Sequence, residues 1–206
     1  MTTLTKLDLA AQMRHLYRAR ETPELVDVPP MPFLMTDGHG APGAVGFREA
    51  IQALYGVSYT LKFRVRKEVG VDFKVMPLEG LWWIPEARVW DFDDKSDWDW
   101  ILMIVQPEVV TETIVREAIA DVVAKKDVPG IDRLRFETFA EGAAAQILHV
   151  GPWSAERPTL ETLHTFVRDR ELLPVGKHHE IYLSDPGRTT PERLRTILRQ
   201  PVAPRG

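Results

Sequence analysis

Near the carboxy end, the stretch His178-His179-Glu180-Ile181-Tyr182-Leu183-Ser184-Asp185-Pro186 places a carboxylate two residues before a phenol. Side chains alternate along a strand, so His178, Glu180, Tyr182 and Ser184 share one face and His179, Ile181 and Leu183 the other. The second face reads as largely apolar and packed. Two residues of strand rise separate Glu180 from Tyr182 by roughly 7 Å, room for one water between them. A buried carboxylate without a partner costs several kcal/mol or takes up a proton. It is tolerated where it is hydrogen-bonded, faces a cation or accepts protons. Glu180 is therefore a candidate general base, with the Tyr182 hydroxyl orienting the water to be deprotonated. The competing reading is an exposed Glu180 paired with Lys177 or an arginine, a surface contact of little energetic weight.

Aromatic residues supply the second signal. Of six tryptophans, Trp82, Trp83, Trp90, Trp98 and Trp100 fall close together. Trp82 and Trp83 point opposite ways on a strand, so one offers a flat face to a planar ligand while the other packs. Such stacking adds about 0.5–1.5 kcal/mol beyond burial. Trp100, in Asp97-Trp98-Asp99-Trp100, reads as a strand entrance. Phe33, Met35, Phe47, Tyr55 and Met103 are apolar wall candidates, each also a natural core residue. His178 and His179 face opposite ways and cannot chelate one metal together. His149 and His164 have no partner at zinc-ligand spacing, so the histidines read as satisfied or exposed and no metal is expected. Gly38-His39-Gly40-Ala41-Pro42-Gly43 lacks the order of a dinucleotide loop and is a turn. Ser154 lacks the flanking glycines of a nucleophile elbow.

Elements must carry these residues. Met31 to Met35 is an apolar run closed by Asp37-Gly38, predicting a strand over 31–36. Phe47, Ala50, Ile51, Leu54 and Ser58 recur at helical spacing and predict a helix over 44–66. Strands over 72–78 and 99–106 follow, the latter stopped by Pro107. Ile114, Val115, Ala118, Ile119, Val122 and Val123 make a helical stripe ended by Val128-Pro129-Gly130. The segment 133–151 reads as a hairpin turning at Glu141-Gly142. A strand over 143–150, a helix over 156–172 and strands over 178–184 and 195–202 complete the chain. The order βαββ thus occurs twice. The expected fold is α+β, one domain over 1–206, with repeat one at about 25–107, a linker helix and hairpin at 108–142 and repeat two at about 143–204. Its antiparallel sheets join, with helices on one side and a ligand cleft between the modules.

Composition excludes several classes. With 44% hydrophobic and 27% charged residues, the chain is globular rather than disordered. The net charge of −4 argues against a nucleic-acid surface. The absence of cysteine excludes disulfides and thiol catalysis. No run approaches the roughly 18 apolar residues of a membrane span, and the first twenty residues have no signal-like apolar core, so the expected site is the cytoplasm.

The pattern Gly151-Pro152-Trp153, a helix, then Glu180-Ile181-Tyr182 and Asp185-Pro186 before a closing strand resembles the GyrI-like small-molecule-binding superfamily. Trp153 stands where tyrosine is commoner. The amino-terminal half, with its segment 26–43, long helix and Glu79-Gly80-Leu81-Trp82-Trp83-Ile84-Pro85, resembles the stand-alone branch of cyclopropanoid cyclopropyl hydrolases. That resemblance implies a cofactor-independent hydrolase opening the cyclopropane of DNA-alkylating natural products, a detoxification. Glu180 and Tyr182 would be the catalytic pair, and Trp82, Trp83, Trp100 and Trp153 would contact a hydrophobic polycyclic substrate. The alternative is a non-catalytic module sequestering hydrophobic or cationic drugs, or modulating a partner protein, with Glu180 as counter-charge among aromatics.

Overall fold

The computed structural model describes residues 4–84 and 96–205; Trp90 lies outside them. In chain order its elements are β1 (Thr5–Leu7), α1 (Leu9–Gln12), α2 (Arg14–Tyr17), β2 (Glu24–Val28), β3 (Met31–His39), α3 (Val45–Glu68), β4 (Val71–Phe73) and β5 (Leu78–Trp83). Then come β6 (Asp99–Val105), α4 (Glu112–Val123), β7 (Arg135–Phe139), β8 (Gly142–Val150), α5 (Arg157–Arg168), β9 (Leu172–Pro174), β10 (His178–Tyr182) and β11 (Arg195–Pro204). The class is α+β. Strands β1 and β4 pair parallel, and the pairs of β11 with β8, β9 and β10, of β10 with β5, of β2 with β8, and of β3 with β6 and β7 are antiparallel. The doubled order survives as β3-α3-β5-β6 and β8-α5-β10-β11.

The chain divides into two compact units that do not follow the repeat boundaries. One holds residues 1–12, 31–76 and 83–139; the other holds 13–30, 77–82 and 140–206. In the first unit, β3 lies between β6 and β7. The long helix α3 packs on β3 through Ala50, Ala53, Leu54, Val57, Leu61 and Val65, a stripe at helical spacing. Buried Ser58 on α3 accepts a hydrogen bond from Gln106 Nε2 at 3.2 Å. Beside α3 runs α4, capped by Thr111, whose side chain accepts from the Ile114 N–H at 3.3 Å. Arg64 ties the two helices, bonding Glu117 at 2.8 Å and Asp121 at 3.0 Å.

The second unit is a sheet in the order β2-β8-β11-β10-β5, with β9 on the far end of β11. Helix α5 covers one face, where Leu160, Leu163 and Val167 meet Ala145, Ile147, Leu198 and Val202. Full burial of each such side chain contributes about 1.5–3 kcal/mol. Registered strand partners share a face, so Glu180, opposite Leu198, lies on the α5 side.

Three expectations are corrected. The strand expected at 72–78 is two strands, because the stretch Lys74–Pro77 leaves the sheet pattern and Pro77 has no N–H to donate. The expected hairpin at 133–151 is not formed. Strand β7 pairs with β3, and β8 pairs with β11 and β2. Phe139 meets Phe33 edge-on at 6.2 Å, and Arg135 bonds Asp37 at 3.0 Å, so β7 has better partners on β3 than an isolated two-stranded ribbon would give. The helix expected to reach 172 ends at Arg168, where Glu171 turns left-handed at φ 54° and feeds β9.

Candidate active site

Strand β10 sets the site through alternation and register. Glu180 lies opposite Gly80 on β5 and Leu198 on β11; Tyr182 lies opposite Leu78 and Thr196; His178 lies opposite Trp82. All point to the α5 face. Glu180 is 6% exposed, so it is not the exposed strand residue of the competing reading. The missing side chain at Gly80 matters here. A Cβ there would stand 2.8 Å from Trp82 Nε1 and 3.2 Å from the Tyr182 hydroxyl. The Trp82 indole therefore folds back over Gly80, and its N–H donates to the Tyr182 oxygen at 3.1 Å.

Tyr182 and Glu180 stand on the same face of the strand and act on each other electrostatically. Tyr182 is half-buried, and its pKa stands well above the usual phenol value. Burial is the leading cause, followed by the nearby Glu180 carboxylate, then by the charge of Glu156. Trp153 closes the other side, its ring edge-on to Tyr182 at 5.7 Å and its N–H donating to Thr196 Oγ1 at 3.2 Å. The turn that places it needs Gly151, at φ 140°, whose N–H bonds the Leu194 carbonyl at 2.9 Å.

Two residues of this site escaped the sequence reading. Glu156, at the start of α5, is only 4% exposed and acts electrostatically on Tyr182. His178 places Nε2 3.5 Å from Glu180 Oε1, and both side chains are 9% exposed. The face shared with Glu180 was the signal for His178; nothing in the local sequence marks Glu156 as buried. His178 is thus neither exposed nor hydrogen-bonded through Nε2 among the described residues. The other histidines fit expectation better. His149 donates through Nε2 to the Pro152 carbonyl at 3.2 Å and pairs through Nδ1 with Thr159 at 3.0 Å, and His164 is exposed.

The remaining candidates divide. Trp82 lies on the Glu180 face, and Trp83, next on the strand, faces the other way and is half-buried. In the first unit, Trp100 is 1% exposed, so it is not the open strand entrance expected. It lies over Gly38, where a Cβ would come within 2.1 Å of the indole, and meets Phe47 edge-on at 5.3 Å. Met35 pairs with Met103, and Phe33 with Val105, on the face of that sheet opposite Trp100. Tyr55 stacks with Tyr59 at 6.2 Å beside a cavity of about 410 Å³ reaching Val122 and Lys126.

The opposite face of β10 is not simply apolar. Buried His179 bonds Glu79 through Nε2 at 3.0 Å and Glu141 through Nδ1 at 2.9 Å. Glu79 also accepts from the Tyr17 hydroxyl at 2.7 Å, and Glu141 from Arg199 at 3.2 Å. Arg199 further donates to Gln146 Oε1 at 3.0 Å and the Leu16 carbonyl at 2.7 Å. Burial opposes ionisation of His179, but the two carboxylates prevail and raise its pKa to about 9. Burial likewise opposes ionisation of Glu141, and His179 and Arg199 overcome it and lower its pKa. Two anions and two cations balance, so this is a structural ion network.

Among the described residues no group of three His, Cys, Asp or Glu could hold a metal, and no helix is long and apolar enough to cross a membrane. A family model described as the GyrI-like small molecule binding domain matches residues 21–203. An uncharacterised conserved protein from Listeria innocua is 38% identical, with a TM-score of 0.90 over 96% of this chain and all of that one. A Listeria innocua hydrolase encoded by lin2189 is 38% identical, with a TM-score of 0.88 over 97% of this chain and all of that one. A further hydrolase structure from Listeria innocua, 36% identical, gives 0.85 over 96% of this chain and all of that one. No curated protein matches.

Proposed function

Because the chain belongs to the GyrI-like small-molecule-binding family, we propose that its Glu180 face hydrolyses a hydrophobic, polycyclic cyclopropanoid. The observation that carries this reading is a buried carboxylate on the same strand face as a phenol that two indoles contact. The hydrolase relatives, similar over nearly the whole chain, support it. The Tyr182 hydroxyl, held by the Trp82 N–H, orients the water that Glu180 deprotonates. Glu180 takes a proton from water as its oxygen attacks the less hindered cyclopropane carbon. The strained C–C bond breaks, and its electron pair passes into the conjugated dienone, which becomes a phenolate and is protonated by solvent. A positioned base of this kind contributes about 10²–10⁴ in rate. Trp82 and Trp153 give flat surfaces to the ring system, with Trp83, Trp100, Phe33, Met35, Phe47, Tyr55 and Met103 as further candidate contacts.

A second reading, a binding module for cations, draws on the two buried carboxylates Glu180 and Glu156 beside the Trp153 and Tyr182 rings. One experiment separates the readings. Wild type and Glu180→Gln are incubated with cyclopropanoid and cationic ligands, with ring-opened product read by mass and affinity by calorimetry. Under the hydrolase reading the variant binds the cyclopropanoid and forms product at least 100-fold more slowly. Unchanged turnover, or loss of cation affinity with no turnover by wild type, overturns it.

A further inference from the structure

Resting on the hydrolase reading, we infer that His178 is the group through which Glu180 returns its proton to solvent. A base enclosed by protein needs an exit for the proton it takes, or it acts once and stays protonated. Three neighbouring groups on this face offer none. Tyr182 already carries its proton, its pKa standing well above the usual phenol value. Trp82 is a donor only. Glu156 bears the same sign of charge. His178 differs: its Nε2 lies 3.5 Å from Glu180 Oε1, it is 91% buried, and that nitrogen makes no hydrogen bond among the described residues. Imidazole accepts and releases protons near neutral pH, which suits a carrier.

The route continues outward. His164 on α5 feels the charge of His178, which together with burial, the larger cause, holds its pKa below the usual imidazole value. Among the described residues, Glu180 on its own strand stands nearest to His178, with Trp82 its register partner on β5. In the cycle, a water O–H bond breaks as its oxygen bonds to the cyclopropane carbon. The proton passes to Glu180, then to His178 Nε2, then to water. The electron pair of the broken C–C bond goes to the dienone oxygen, and no oxidant or reductant takes part. A gap of 3.5 Å closes readily once substrate displaces solvent, as such contacts tighten in complexes. His178 acts through Glu180 and is a positioning residue for its proton.

The test uses the full chain and a cyclopropanoid substrate. His178→Gln, which keeps polarity but cannot titrate, should lower kcat 10- to 100-fold with KM changed less than twofold. His178→Ala should fall similarly and regain at least fivefold with added imidazole, a rescue that a packing role would not give. Wild-type kcat in His178→Gln, or no imidazole response in His178→Ala, overturns the relay while leaving the hydrolase reading in place. Inactive wild type overturns both.

Discussion

The ion network around His179 makes a prediction whose size follows from its geometry. An imidazole with an ordinary pKa of 6.5 in the unfolded chain and about 9 in the folded one binds more protons when folded at any pH between. Stability therefore falls as pH rises across that window, by about 1.4 kcal/mol per pH unit. The contribution is fully present below pH 6.5 and lost above about 9, so the total is about 3 kcal/mol. His179 is 1% exposed, so solvent screening takes little from this figure. In His179→Gln the titration disappears. The variant leaves two buried carboxylates with Arg199 as their one remaining cation in this network, which costs about 3–5 kcal/mol near pH 6. Urea unfolding, followed by tryptophan fluorescence at pH 6, 7.5 and 9.5, gives both curves. Wild type should lose about 3 kcal/mol more than the variant between the ends of the range. Parallel pH dependence in the two proteins would refute the charged His179. Glu141 acts oppositely: its pKa is lowered, so its contribution is present above the usual carboxylate range and disappears as pH falls through the folded value.

Other perturbations probe the site. Tyr182→Phe removes the acceptor for Trp82 and the hydroxyl beside Glu180; we expect about 1 kcal/mol of lost stability in urea titrations and a roughly tenfold lower kcat. Gly80→Ala forces a Cβ to within 2.8 Å of Trp82 Nε1, so the indole must move; about 1–3 kcal/mol of destabilisation and a shifted tryptophan emission should follow. Gly38→Ala drives a Cβ into the Trp100 ring and should lower the melting temperature by several degrees, measured by circular dichroism.

Alternation made the Glu180 face legible, since period two needs no knowledge of partners. Helices α3, α4 and α5 were legible from their apolar stripes. What sequence hid depends on register and long-range pairing. The contact of Trp82 with Tyr182 exists because Gly80 lies opposite Glu180, a pairing between strands a hundred residues apart. The His179 network gathers Tyr17, Glu79, Glu141 and Arg199, each of which reads locally as an ordinary surface residue. The hairpin failed for a similar reason: the short connection after Phe139 looks like a ribbon turn until β3 and β11 compete for the strands beside it.

The interleaving of the two units bears on synthesis. Every segment of the first has been synthesised once residue 139 is added, whereas the second joins residues 13–30 to strands that end at 204. The bond from Arg199 to the Leu16 carbonyl closes a loop of 183 residues. The early segment that covers the ion network must therefore wait, unpaired, for nearly the whole message to be translated. Nascent chains stalled before β11 should be cut by protease within residues 13–30, and completed chains should resist.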